Sequence, residues 1–379
     1  MSKNIQIAAL VPYKIFPAKM GGEKGVALFY NALGELLPVI IISTKNNVLP
    51  PAFNARFIPA LGNSILRYIN PILFFRIKRI LQKNQVTHLI IEHPYFGWLG
   101  ILLKIFTPVC LAVHSHNIEA TRFRSTGRWW WRVLWQYEKY THRSADINFF
   151  ITDEDRQFAI SNFKLAAHRC FTITYGFDLK SIPSREEKAA AKKQLQEKYN
   201  LSPAENILLF NGSLHYKPNL DALDNILGHI NPILLLHKNF KYRIIICGKN
   251  LPEAYNDLKN YKESNIIFAG FVPDINMYFY GADIFINPVT DGGGIKTKLV
   301  ESLGSDLSCV STLSGAFGVP AAVVKNKMIT VPDGDWQQFA QAIQAINVTE
   351  NTPTAFFNHF YWGNIAEKAA VVLKANCKR

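Results

Sequence analysis

The chain has 379 residues, enough for two domains of ordinary size, and 49% of them are apolar, enough for each domain to bury a core. Its 42 Lys and Arg against 28 Asp and Glu leave a formal charge of +14, which favours anionic partners: nucleotides, nucleic acid or an anionic membrane surface. No run reaches the ~20 apolar residues needed to span a bilayer, and the five cysteines show no zinc spacing.

In chain order, the apolar run over 5–11 is too short for a signal peptide, is ended by Pro12, and reads as a first buried strand. Further strands are expected over 39–43, 89–92, 109–114, 147–151 and 171–174, with helical patterns over 23–37, 68–84, 129–143 and 154–163. That alternation is the βαβ rhythm of a parallel, doubly wound sheet. A charged stretch over 181–201 follows, in which 186–199, rich in Lys, Glu and Ala, should form a solvent-facing helix. The rhythm then restarts with strands over 207–211, 242–247, 266–269, 284–287, 309–311 and 329–331. The fold class expected is α/β, with two Rossmann-like doubly wound domains facing a cleft. In such sheets ligands sit at the carboxyl ends of the strands.

The glycine turns named here fall at such ends. The most informative follows the strand at 284–287: Asp291, Gly292, Gly293, Gly294, Lys296, Lys298 and Glu301. A glycine-rich turn leading into a helix offers backbone N–H groups to an anion, the lysines suit a diphosphate, and Glu301 can accept from sugar hydroxyls. If the helix begins near Gly294, Glu301 lies roughly two turns in. It is neither a Walker loop nor a first Rossmann turn. A second anion-friendly turn carries Gly212, Ser213 and Lys217, with Pro218 suited to starting a helix. Gly248-Lys249 and Gly270-Phe271-Val272 close two more strands, and Gly21-Gly22 opens a helix after the first. Plain tight turns are the competing reading of each.

His114, His116, Asn117 and Glu119 cluster after the strand at 109–114 and form a second site candidate, against the reading of His114 as a satisfied strand-end histidine. Metal binding is not expected, because no third ligand pairs with the two histidines at a recognisable spacing. The segment 122–135 mixes arginines with four tryptophans and suits a membrane interface. Three tryptophans in a row cannot share one helix face, so at least one should be exposed or cover another element. Along the chain the basic residues read as spread rather than gathered into one tail, so no single patch is expected. Cys110, Cys247 and Cys309 look like buried small hydrophobes, and a reducing cytoplasm is the simple inference.

With these loops and the paired α/β halves in view, the chain resembles glycosyltransferases of the GT-B architecture, family 4 of the retaining enzymes, over nearly its whole length. The carriers are Gly21-Gly22, residues 116–119, 212–219 and 270–272, and above all Gly292-Gly293-Gly294 with Lys298 and Glu301. Phe360-Tyr361-Trp362 precedes a last helix that in such enzymes crosses back to the first domain. The resemblance implies an acceptor domain over 1–178 with the helix at 362–379, and a nucleotide-sugar domain over 179–361. It implies Glu301 on the ribose, Lys298 with the backbone of Gly293 and Gly294 on the diphosphate, and Lys217 or Lys249 as further cations. Gly212 and Ser213 join the donor site, Val272 meets the base, and Gly22 approaches the donor from the first domain. His116 is the catalytic histidine, with His114 as rival. His114, Asn117 and Glu119 serve the acceptor.

One departure stands out: many relatives carry an earlier glutamate where this chain has Gly293, and Asp291 is the nearest acid. Retention without a metal or other cofactor is implied, with a glycan or lipid-linked acceptor in cell-surface polysaccharide synthesis. The competing class is a binding protein for nucleotide sugars or glycans that has lost catalysis. Nucleic acid is not an expected partner, since no module interleaves basic and stacking residues. The place of work implied is the cytoplasm, with peripheral contact at the inner membrane face.

Overall fold

In a computed structural model, the described residues are 5–18, 21–178 and 182–376. They form two compact units. One runs to Gly176 and takes in the chain from Phe360 onward; the other is Phe177–His359.

The first unit holds seven strands: β1 Ile7–Leu10, β2 Val39–Thr44, β3 Arg56–Leu61, β4 His88–Glu92, β5 Cys110–Ser115, β6 Ile147–Phe150 and β7 Cys170–Thr172. All pairings are parallel, in the order β3-β2-β1-β4-β5-β6-β7. Helices cover both faces, so β1, β2, β4, β5 and β6 are buried along their whole length and read as mostly apolar runs. The strand order reverses between β1 and β4, which is where an open α/β sheet makes its crevice.

Two elements of this unit escape the sequence pattern. Strand β3 contains Pro59 and is half exposed; it lies at the sheet edge, where a missing N–H is tolerated. The helix Gly97–Phe106 is apolar nearly all round and buries Gly97, Leu99, Gly100 and Leu103. Gly97 sits so close to Thr141 that any Cβ there would collide with its side chain. Gly97→Ala should therefore lower stability by about 1–3 kcal/mol through overpacking, a loss measurable from the urea midpoint. The last helix, Trp362–Ala375, packs against the helix Gly21–Leu36 of the same unit.

The second unit holds β8 Asn206–Asn211, β9 Tyr242–Cys247, β10 Ile266–Gly270, β11 Ile284–Asn287, β12 Ser308–Thr312 and β13 Met328–Val331. They are parallel in the order β10-β9-β8-β11-β12-β13, with the reversal between β8 and β11. The helix Arg185–Tyr199 is not merely solvent-facing as its composition suggests. A capping box of Ser184 and Glu187 starts it, Ala191 and Leu195 are buried, and Gly281 of the helix Asn276–Gly281 fits against them. Lys188 and Lys192 pin it through ion pairs to Asp306 (2.8 Å) and Asp283 (2.7 Å).

Cys170, Cys247 and Cys309 are free and buried. Cys110 is buried as well, in a strand of the first sheet. No helix among the described residues is long and apolar enough to cross a membrane.

Candidate active site

In the second unit, the loops after β8 and β11 leave the sheet at its reversal point. They meet: a Cβ on Gly292 would lie 3.2 Å from Pro218 Cγ and 3.4 Å from the Tyr216 hydroxyl. Gly292 (φ 98°) and Gly294 (φ 69°) hold left-handed backbone that other residues resist. Asp291 accepts from Gly292 N–H at 2.6 Å and so shapes the loop's first turn. At the loop's root, Asn287 Nδ2 donates to Ser311 Oγ (2.9 Å) and to the Gly315 carbonyl (3.0 Å).

The two lysines have different work. Lys296 Nζ donates to the carbonyls of Gly292 (2.6 Å) and Gly294 (3.0 Å), closing the loop on itself. Lys298 Nζ pairs with Glu301 Oε2 at 2.6 Å. The helix begins at Thr297, not near Gly294, because the two left-handed glycines precede it. Glu301 is therefore about one turn in rather than two, within reach of Lys298. The N–H groups of Thr297 and Lys298 open the helix without an intrahelical acceptor.

The loops after β9 and β10 lie alongside. Gly248 N–H donates to the Gly270 carbonyl at 2.8 Å, and Gly248 approaches the Gly212 carbonyl too closely for any side chain. Ser213 Oγ bonds His215 Nδ1 at 2.9 Å. Val272 is half-buried and Lys249 exposed. Lys217 is held by Asp221 on its own helix at 2.7 Å and points to solvent. The structure thus gathers Gly212, Ser213, Asp291, Gly293, Gly294, Lys298 and Glu301 around one sheet end, with Lys217 turned aside.

In the first unit, the site lies at the reversal between β1 and β4. Parallel pairing puts Glu92 directly beside His114. The buried Glu92 carboxylate accepts from Tyr30 OH, from His114 Nδ1 (3.0 Å) and from His116 Nε2 (2.7 Å). A carboxylate only accepts, so both imidazoles carry their proton toward it. His114 is buried against Phe29 and Phe149, with Nε2 lacking a partner. His116 is the more open of the two. Burial, then the neighbouring His93, pushes the His116 imidazole down to about 4, so it is neutral near pH 7. Burial alone would raise Glu92; the two histidines hold it well below the usual carboxylate range instead.

A second carboxylate adjoins this one. Glu119 is buried and takes Tyr95 OH (2.7 Å), Arg122 Nε (2.9 Å) and, more loosely, Asn117 Nδ2 (3.4 Å). His93 Nδ1 lies 3.2 Å from Glu119 Oε1 but off the line of a hydrogen bond, while its Nε2 meets Tyr13 OH at 3.1 Å. His93 holds φ 60°, a strained value for a side-chain-bearing residue, as happens where a site over-determines the backbone. Its ring stacks on Tyr95 and lies 4.5 Å from the ring centroid of His116. Gly22 stands in the first turn of its helix with open space around it; Met20, before it, lies outside the described residues.

Glu92 is the residue the sequence reading missed. Glu92, His114 and His116 bring three potential ligand atoms within 4.8 Å of one another, so a third ligand does exist. It comes from the neighbouring strand rather than from a local spacing. Its carboxylate already has three donors, which accounts for the cluster without an ion. The only signal was a lone acid ending an apolar strand just before His93-Pro94.

The comparisons bear on the family and the fold. The family model described as Glycosyltransferase Family 4 matches residues 21–181, and that described as Glycosyl transferases group 1 matches residues 205–347. The chain belongs to these glycosyltransferases, with the GT-B fold, and is an enzyme of that class. Sucrose-phosphate synthase from Thermosynechococcus elongatus is 17% identical, with a TM-score of 0.73 and 98% of each chain covered. A glycosyltransferase from Rickettsia africae ESF-5 is 16% identical, with a TM-score of 0.70 and 98% of each chain covered. Anabaena HepE in complex with UDP is 15% identical, with a TM-score of 0.67, covering 98% of this chain and 100% of its own. No curated protein sequence matches the chain.

Proposed function

We propose that the chain moves a sugar from a nucleotide diphosphate-sugar to a glycan or lipid-linked acceptor, with retention and without a metal, in surface polysaccharide synthesis. The observation that carries this is the glycine loop at the β8–β11 reversal, with Lys298 and Glu301 one turn apart at the start of its helix. In this reading the bond from the sugar carbon to the phosphate oxygen breaks as negative charge grows on the diphosphate. Lys298 and the N–H groups at the loop and helix start stabilise that charge. The acceptor hydroxyl forms the new bond on the same face and passes its proton to the departing phosphate oxygen. Glu301 holds the ribose. In the first unit, His116 offers a neutral Nδ1 to a sugar hydroxyl, fixed by Glu92 behind it. The work is done in the cytoplasm, in contact with a membrane surface.

Support for a uridine nucleotide as first probe comes from HepE, solved with UDP. A thermal-shift series with UDP, GDP, ADP and CMP in EDTA tests the donor half: one diphosphate should raise Tm, and none doing so would sink it. Glu301→Ala should weaken donor binding about tenfold, or 1.4 kcal/mol, in a calorimetric titration, with Tm little changed. The second reading, a binding protein without catalysis, is favoured by Gly293, which stands where the family resemblance implies a glutamate in many members. Donor binding without transfer or hydrolysis would establish it.

A further inference from the structure

The charge of +14 is not evenly spread. Residues 36–152 carry fourteen Lys and Arg against four Asp and Glu. Of those four, Glu92, Glu119 and Glu138 are buried, and Asp146 is paired with Lys104 at 2.7 Å. The solvent face of this stretch therefore shows no unpaired carboxylate among the described residues.

The same face shows large apolar side chains. The helix Ile72–Lys83 spends Leu73, Ile77 and Leu81 on the core and leaves Ile72 (69% exposed) and Phe75 (71%) outside. The helix Gly97–Phe106 packs beside it and ends with Phe106 exposed, its ring 5.5 Å from Phe74. The helix Trp131–Ser144 packs on the other side, with Trp129 (86%) just before it and Val133 on its outer face. Cations stand among these groups: Arg76, Arg79 and Lys83 on the first helix, Arg132 on the third.

We propose that this three-helix face docks on an anionic lipid bilayer. The apolar side chains enter the boundary between headgroups and acyl chains, and the arginines and lysines meet the anionic headgroups. Charged residues are depleted at the apolar centres of protein interfaces, lysine among them. Here a cation accompanies each apolar projection, which is the pattern of a surface meeting lipid. The inference gives the membrane contact of the proposed function a place in the fold. It is tested apart from the transfer reaction, since vesicle binding needs neither donor nor turnover.

The experiment is co-sedimentation of the full chain with vesicles of phosphatidylglycerol mixed with phosphatidylcholine, against phosphatidylcholine alone. Binding should be at least about tenfold stronger to the anionic vesicles and weaken as salt shortens the screening length. Ile72→Asn with Phe75→Ser should abolish it, and Arg76→Glu with Arg79→Glu should abolish the preference for anionic lipid. Both pairs are exposed, so an unchanged Tm and unchanged donor-induced thermal shift confirm the fold. Equal binding to both vesicle types, or full binding by the apolar pair, overturns the proposal. So does concentration-dependent self-association that Phe75→Ser removes, without vesicle binding, since the face would then join copies of the chain.

Discussion

Lys298→Ala should slow sugar transfer about a hundredfold or more while moving Tm by only about 1–2 °C. The two effects separate because they rest on different interactions. In the structure Lys298 is partly exposed and makes one ion pair, to Glu301 at 2.6 Å. A pair of that kind on one helix adds about 0.3–0.5 kcal/mol to stability. In the transition state the same ammonium would face a diphosphate that has gained charge, where one removed donor typically costs about 2.7–4 kcal/mol. Steady-state kinetics distinguish the outcomes. A fall in kcat at constant donor KM places the interaction in the transition state. A rise in KM alone would make Lys298 a ground-state anchor and shift the catalytic burden to the backbone donors. Lys298→Arg should recover part of the rate, because the charge returns with a different shape. In Glu301→Ala the lysine loses its partner, so the double variant should deviate from additivity.

The fold was largely legible because its signals are local. Buried parallel strands are short apolar runs, and each of the twelve expected strands matches one among the described residues to within two residues at its ends. Strand β3 was hidden by Pro59, which only an edge position tolerates. The glycine loop was legible because left-handed turns recruit glycine. The division of labour between Lys296 and Lys298 was not, since it depends on which carbonyls the folded loop turns back toward the chain. The Glu92 network was illegible for a further reason: it joins residues 22 apart through the register of β4 and β5. The docking face was a different failure. The near-absence of acids over 36–152 stands in the sequence itself, but a whole-chain count conceals it, and only burial and pairing show that Glu119 and Asp146 are already taken up by Arg122 and Lys104 and leave no free carboxylate on the outer face.

Glu92→Ala should destabilise the chain by about 3–5 kcal/mol at neutral pH, since it removes one partner from a buried charged network. Tyr30, His114 and His116 would all lose their acceptor at once. Glu92→Gln should cost less, because the amide oxygen still accepts while its NH2 group opposes at least one donor. The pH dependence carries the sharper test. Glu92 is held below its ordinary value of 4.5 in the fold, so its contribution is fully present above that pH and is lost as pH falls through the lower, folded value. His116 and His142 are pushed down to about 4 by burial, from 6.5. Between those values the unfolded chain takes up protons that the fold refuses, so stability begins to fall below about 6.5. The parent chain should therefore show a plateau above that pH and a decline below it, in urea midpoints measured across the range. Glu92→Ala should start from a lower plateau, and the gap to the parent should narrow only below pH 4.5, where the unfolded parent begins to take up at Glu92 a proton that the fold refuses. A gap that closes nearer 6.5 would assign the network's stability to the histidines instead. Parallel transfer assays decide what the network is for. If Glu92 orients His116 for a sugar hydroxyl, Glu92→Gln should lose activity well beyond its loss of folded protein, with donor-induced thermal shifts unchanged.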